Sequence, residues 1–288
     1  MKQIVILSGK GGTGKTTVSS AFVKLLNNKI TIDCDVDAAN LFLLLNPKDQ
    51  KQFEYFGGKK ASINLELCSQ CGLCESVCRF DAIHDYEINQ LSCEGCGFCY
   101  RACPDDAIKF TAIKSGSYFE CSLQDKSKFY YAILLPGEGN SGKLVSEIKK
   151  SALNNVDEKT KWVIVDGPPG IGCPVNASLS GADFVVIVAE PTQSGIHDLK
   201  RLVELLKTFS IKSGIVINKY DLNEKITLQI TSLAGKENIP VLGYLPFDED
   251  YIEAIKANKT IVEYSSHAAE DIKNIWAKVE FFMDISKN

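Results

Sequence analysis

Short runs that are apolar at nearly every position alternate along the chain with segments whose apolar residues recur every three or four places. Residues 4–7, 30–32, 162–165, 184–189, 215–217 and 241–245 are runs of the first kind. A strand covered on both faces has this pattern, and covered strands belong to parallel sheets. Each run gives way at its C-terminal end to polar, glycine or proline residues: Gly9, Asp33, Asp166-Gly167-Pro168-Pro169, Glu190-Pro191-Thr192, Asn218-Lys219 and Pro246. Leu199, Leu202, Val203, Leu206 and Phe209 fall on one face of a helix between two such runs. The alternation predicts βα units, and so an α/β fold with a doubly wound, mostly parallel sheet. Sheets of this kind place ligands beyond the C-terminal ends of their strands, where the polar turns lie.

The rhythm stops in the middle of the chain. Cys68-Ser-Gln-Cys-Gly-Leu-Cys-Glu-Ser-Val-Cys-Arg-Phe-Asp-Ala-Ile83 returns 25 residues later as Cys93-Glu-Gly-Cys-Gly-Phe-Cys-Tyr-Arg-Ala-Cys-Pro-Asp-Asp-Ala-Ile108. Eight of the 16 positions are identical, which indicates duplication of one unit. The turn-rich stretches 56–60 and 114–117 flank the repeat. The division expected is a small α+β module at 62–112, inserted into a larger domain made of 1–61 and 113–288.

Composition narrows the function. The 288 residues are 45% hydrophobic and 24% charged, with net charge −4. That balance is too mild for binding to nucleic acid or an anionic membrane surface, and the apolar fraction argues against disorder. No apolar run approaches the roughly 18 residues of a membrane span. Met1-Lys2-Gln3 leads into a short apolar run and then glycines, unlike a signal peptide, so a cytoplasmic location is expected. In that reducing compartment, 11 cysteines with eight of them between Cys68 and Cys103 read as metal or cluster ligands, not disulfides.

Gly9-Lys10-Gly11-Gly12-Thr13-Gly14-Lys15-Thr16 fits the phosphate-binding pattern G-x-x-x-x-G-K-[ST], after an expected strand and before an expected helix. The backbone of Gly11, Gly12, Thr13 and Gly14, with Thr16 and Thr17 opening the helix, would wrap nucleotide phosphates. Lys15 would reach the β- and γ-phosphates, and Thr16 would bind Mg²⁺. The second lysine, Lys10, makes the loop resemble the deviant Walker A motif of the MinD/ParA/nitrogenase-iron-protein ATPases. The resemblance implies that Lys10 crosses a nucleotide-bound dimer to the partner's phosphates. It also implies that Asp35 positions the attacking water, and that Asp166 is the Walker B carboxylate acting on Mg²⁺. Asp33 and Asp37 are open between a water-mediated Mg²⁺ contact and a helix cap. Asn218-Lys219-Tyr220-Asp221 looks like the NKxD guanine reader, but the MinD resemblance implies ATP, with Asn218 at the adenine. The stretch 137–144 also fits G-x-x-x-x-G-K. Leu144 lacks the hydroxyl for Mg²⁺, so the reading is a helix-opening turn with a secondary anion contact at Lys143.

Both halves of the repeat read C-x-x-C-x-x-C-x-x-x-C. Three cysteines at this spacing wrap one iron–sulfur cubane, and the fourth of each run serves the other cluster. On that rule one [4Fe–4S] cluster takes Cys68, Cys71, Cys74 and Cys103, and the other takes Cys93, Cys96, Cys99 and Cys78. The module resembles a bacterial two-cluster ferredoxin, although Arg79 stands where Pro104 stands in the second half. Zinc fits less well, because its four-thiolate sites pair two C-x-x-C knuckles. Cys34 and Cys121 read as small core residues, and Cys173 as a structural thiol seven residues after Asp166, where the resemblance implies that Walker B runs into a nucleotide-sensing switch segment. His84, His197 and His267 have no ligating spacing.

Ile272, Ile275, Trp276, Val279, Phe282 and Met283 form a helical stripe. Asp271, Lys273, Lys278, Glu280, Asp284 and Lys287 balance around it, without the basic face of a membrane-lying helix, so the helix is expected to dock on the core. Taken whole, the chain resembles MinD/Mrp-like P-loop ATPases carrying an inserted ferredoxin domain. The resemblance implies ATP, Mg²⁺ and two [4Fe–4S] clusters as cofactors. It implies a dimer, of two copies or with a paralogous ATPase, that gates electron delivery to a redox partner protein. Neither nucleic acid nor a stable membrane association is expected. A cluster assembly or transfer factor, or a positioning ATPase whose ferredoxin domain is a docking module, are the alternatives.

Overall fold

The computed structural model describes residues 1–284; Lys287 lies outside the described residues. The chain divides into two compact units. The first comprises Met1–Gln52, Tyr118–Ile133 and the chain from Ser141 onward; the second comprises Phe53–Ser117 with residues 134–140.

In chain order the elements begin β1 (Lys2–Ser8), α1 (Lys15–Leu25), β2 (Lys29–Asp33), α2 (Leu41–Leu45) and β3 (Lys48–Tyr55). Through the cysteine repeat run β4 (Gly58–Ile63), α3 (Leu73–Ser76), β5 (Ile83–His84), β6 (Glu87–Ile88), α4 (Phe98–Ala102) and β7 (Ile108–Ile113). Then come β8 (Gly116–Ser122), β9 (Lys128–Leu134), α5 (Ser141–Asn154), β10 (Trp162–Pro169), α6 (Cys173–Leu179), β11 (Phe184–Ala189) and α7 (Gln193–Phe209). The chain closes with β12 (Ser213–Asn218), α8 (Glu224–Lys236), β13 (Val241–Leu245), α9 (Glu249–Lys256), α10 (Ile261–Tyr264) and α11 (Ser266–Asp284).

All six expected strands form. They lie in a nine-stranded sheet of order β13-β12-β11-β1-β10-β2-β9-β8-β3, parallel from β13 through β9. The central strands β1, β10 and β11 are apolar and buried along almost their whole length, because helices cover both faces. Asp166 lies in the C-terminal half of β10, and Ser8, Pro169 and Ala189 close the three strands at one edge of the sheet, from which the phosphate loop, the turn after Pro169 and the Glu190 turn all leave.

The C-terminal helix docks on this core. Ile272, Ile275, Trp276, Val279 and Met283 are buried, and Trp276 packs edge-on against both Phe22 and Trp162 at 5.0 Å between ring centroids. No helix among the described residues is long and apolar enough to cross a membrane.

The second unit has its own small core of Ala61, Cys74, Ile83 and Ile108, with Cys78, Cys93, Cys99, Cys103 and Phe110 packed around it. β4 and β7 pair antiparallel, as do β5 and β6. The two halves of the repeat fold alike: α3 and α4 each open on a glycine in the left-handed region, Gly72 and Gly97.

Candidate functional site

Residues 9–14 turn from the end of β1 into the start of α1. Gly14 sits at φ 91°, and a Cβ there would fall 2.2 Å from the Asn218 amide nitrogen. Only glycine allows both the turn and that approach. The Asn218 amide donates to the Thr13 carbonyl at 2.8 Å, tying the end of β12 to the loop.

Lys15 is buried and donates to Asp166 Oδ1 at 2.8 Å; its ammonium lies 3.7 Å from Asp35 Oδ2. Thr16 Oγ1 donates to the other Asp166 oxygen at 2.9 Å, and Ser19 Oγ donates to Oδ1 at 2.8 Å. Asp166 has no exposed surface, and these three donors meet the requirement that a buried carboxylate be paired and hydrogen-bonded. Ser19 was not singled out from sequence, although it lies one helical turn after Lys15. Burial by itself would lower the Lys15 pKa; Asp166, Asp33 and Asp35 outweigh it and hold the ammonium above its ordinary value. Burial raises the Asp35 carboxyl, and Lys15 partly offsets this.

Asp33 and Asp37 have different surroundings. Asp33 accepts the backbone N–H of Asp35 at 3.0 Å and that of Leu41, the first residue of α2, at 3.2 Å. It braces the loop that carries Asp35 from beneath. Asp37 is exposed and borders the phosphate-side cavity. Burial, then the neighbouring Asp166, pushes Asp33 up to about 7. A carboxyl raised in the fold binds more protons folded than unfolded, so its contribution to stability is lost as pH rises from about 4 through 7. Calorimetry of the nucleotide-free protein is therefore expected to show Asp33→Asn flattening this part of the pH profile. Parallel profiles would count against the assignment.

Two cavities flank the loop. Gly11, Lys15, Thr16, Asp35, Asp37 and Pro168 line the one where phosphates and Mg²⁺ would sit. Asn218, Pro246, Phe247, Tyr251 and Ile252 line the other, and Gly12, Gly14, Thr17 and Ile255 border both. An apolar slot beside Asn218 suits a purine. Asp221 does not line it; its carboxylate accepts the Phe247 N–H at 2.7 Å. The residue that would read guanine in NKxD instead fixes the loop carrying Pro246 and Phe247. Nothing in the sequence marked Phe247. Asp221→Ala is expected to weaken ATP binding about fivefold, the size of one ordinary net hydrogen bond of about 1 kcal/mol, with no gain for GTP. Competition of labelled ATP by each nucleotide reads this out, and a switch toward GTP would refute it.

Lys10 does not line the phosphate-side cavity. Its ammonium donates to Thr192 Oγ1 at 3.1 Å and Ser194 Oγ at 3.2 Å, and pairs with Glu190 at 3.4 Å. The stretch 137–144 is the turn that opens α5; Lys143 is exposed and Leu144 buried. Cys34 and Cys121 are buried, and Cys173 is exposed at the start of α6.

In the second unit, Cys78, Cys93, Cys96 and Cys99 line a single cavity, closed by Gly95, Gly97 and Phe110. The Ala82 N–H points at Cys78 Sγ, 3.4 Å away. Burial raises the Cys99 thiol, and the nearby Cys93, Cys96 and Cys78 raise it further. Cys74 is raised in the same way by burial and by Cys68 and Cys71. Among the described residues no three His, Cys, Asp or Glu side chains converge as ligands of one metal ion. Thiolates that bind different irons of a cubane do not converge on one point, and a cavity walled by four thiols with an N–H donor to sulfur fits such a group. Cys78, Cys93, Cys96 and Cys99 would hold one cluster.

The fold and the phosphate loop define a P-loop nucleotide-binding protein. Residues 4–261 match the family described as the CobQ/CobB/MinD/ParA nucleotide binding domain. An uncharacterized protein of Methanocaldococcus jannaschii is 36% identical over 286 residues, covering 98% of this chain and 97% of that protein. The septum site-determining protein MinD of Synechocystis is 24% identical over 269 residues, covering 89% of this chain and 79% of that one. Among solved structures, Pyrococcus horikoshii MinD complexed with Mg-ADP aligns with TM-score 0.60 and 18% identity, covering 99% and 98% of the two chains. The chain belongs to the CobQ/CobB/MinD/ParA family, and it is a P-loop ATPase of the MinD/ParA kind.

Proposed function

We propose that this ATPase is an iron–sulfur protein in which nucleotide-driven pairing of two subunits controls electron transfer to a partner protein. The observation that carries the reading is the cavity walled by Cys78, Cys93, Cys96 and Cys99 in the second unit. The crossed pairing, with Cys78 beside the thiols of the second run, is the arrangement expected of a two-cluster ferredoxin. Cys68, Cys71, Cys74 and Cys103 would hold the second cluster. A cubane cluster supplies reversible one-electron transfer. The chain's own contribution is to hold the thiols, with one set lining an apolar pocket.

On the nucleotide side, Lys15 holds the β- and γ-phosphates, Thr16 and Asp166 hold Mg²⁺, and Asp35 orients the attacking water. Asn218 and the Pro246–Phe247 turn hold adenine. P. horikoshii MinD, which shares this fold, was solved with Mg-ADP. Lys10 engages the nucleotide of the second subunit, either another copy or a paralogous ATPase. ATP shifts a pairing equilibrium only through its different affinity for the two states, which a contact from the second subunit provides.

Anaerobic purification, iron and sulfide analysis, and EPR after reduction with and without MgATP test the reading. About eight irons per chain and a spectrum that changes with MgATP are expected. Cys78→Ser is expected to remove or alter one signal and leave the other. Clusters indifferent to MgATP would favour a docking module, and clusters that pass to an apoprotein acceptor would favour a transfer factor. A zinc content without iron would end the reading.

A further inference from the structure

Glu190 occupies a place that the functions assigned so far do not use. It follows the last residue of β11, at the strand end next to the phosphate loop. One carboxylate oxygen lies 3.4 Å from the Lys10 ammonium and the other 3.1 Å from that of Lys219. Lys219 Nζ also reaches the Gly12 carbonyl at 3.4 Å. A single carboxylate therefore sits between two ammonium groups, one rising from the loop and the other resting on it. Thr192 and Ser194 complete the seat, accepting from Lys10 at 3.1 and 3.2 Å.

The seat is rigidly built. Thr192 caps α7, its hydroxyl accepting the Gly195 N–H at 3.0 Å. A Cβ on Gly195 would fall 2.3 Å from the Glu190 carbonyl, so the first turn of α7 is held close beneath the carboxylate's own backbone. The Glu190 side chain is only 15% exposed, and a partly desolvated ion pair is stronger than one in open solvent. Three acceptors fixed by a strand end and a helix cap are more than a solvated lysine needs.

We infer that Glu190 is a positioning residue that holds Lys10 within its own chain, so that the lysine must leave this seat before it can reach a second subunit. The inference rests on the pairing reading given above. Contacts made only in the unpaired arrangement stabilise that arrangement, and removing them favours pairing by the same free energy. Glu190 thus sets how readily MgATP brings two subunits together.

The test is the dissociation constant of the MgATP-bound pair, measured by sedimentation on wild type, Glu190→Gln, Ser194→Ala, Lys10→Ala and the Lys10→Ala/Glu190→Gln double variant. Glu190→Gln is expected to tighten pairing about fivefold, and Ser194→Ala to tighten it less. The decisive comparison is the double variant: with Lys10 absent, Glu190→Gln is expected to change nothing. A tightening that persists without Lys10 would show a general effect on the fold and overturn the inference. Wild type that pairs with MgATP while Glu190→Gln pairs equally well would overturn it while leaving the pairing reading intact. Wild type and Glu190→Gln both monomeric at every concentration with MgATP would overturn the two together. Ser194 is a mild surface substitution, which keeps the test open if Glu190→Gln folds poorly.

Discussion

Lys15→Ala is expected to lower MgATP turnover by about 10²–10³-fold or more, the cost of removing one preorganised charged donor from a transferring phosphoryl group. The ammonium is buried and faces the cavity lined by Gly11, Thr16 and Asp35. No neighbouring cation of the loop can replace it, because Lys10 is turned toward Thr192. Binding of ATP, measured by titration calorimetry, is expected to become undetectable. Lys10→Ala should separate the two functions: ATP binding by the single chain persists, while hydrolysis and pairing fall. A Lys10→Ala protein that hydrolyses ATP at the wild-type rate would remove Lys10 from the catalytic set. Asp35→Ala is the complementary case, expected to retain ATP and lose turnover.

Asp166→Ala is expected to have the largest effect on stability. The carboxylate is wholly buried and holds Lys15, Thr16 and Ser19 at 2.8 to 2.9 Å. Its removal takes away the hydrogen-bonded counterion of a buried ammonium and leaves Asp35, at 3.7 Å, as its paired carboxylate; breaking a buried pair from one side costs about 3–5 kcal/mol. Denaturant unfolding would read this as a lower midpoint with an unchanged slope. The double variant Lys15→Ala/Asp166→Ala is expected to recover part of the stability, since the buried ammonium is removed together with its hydrogen-bonded carboxylate, and none of the activity. Additive losses in the double variant would show that the two side chains do not act as a pair.

The sheet was legible because a strand covered on both faces must be apolar where it is covered, and residues 4–7 of β1, 162–165 of β10 and 184–189 of β11 are. The edge strand β3, Lys48–Tyr55, was not: seven of its eight residues are exposed, so no apolar run or alternation marks it. The phosphate loop was legible because a backbone that wraps phosphates needs glycines at fixed spacing. The partners that complete the site were less so. Ser19 is an ordinary helix residue until Asp166 is brought beside it, and Glu190 becomes the neighbour of Lys10 only when β11 is laid next to β1. Asp221 shows the limit of a short motif. Its position in an NKxD pattern points to a guanine, whereas the fold points its carboxylate at the Phe247 backbone. A short motif fixes which groups are near a base, and the loop packed over them decides which group faces it.

The contact of the C-terminal helix with the core has an optical consequence. The chain has two tryptophans, Trp162 and Trp276, and their rings meet edge to face at 5.0 Å. Trp162 opens the strand that carries Asp166, and Phe22, the other neighbour of Trp276, lies on the helix that begins at Lys15. Two indoles this close interact electronically, so their near-ultraviolet dichroism belongs to the pair and not to either ring alone. The protein thus carries an intrinsic chromophore behind its nucleotide site, one that registers any shift between the first helix, the Asp166 strand and the last helix without an added label.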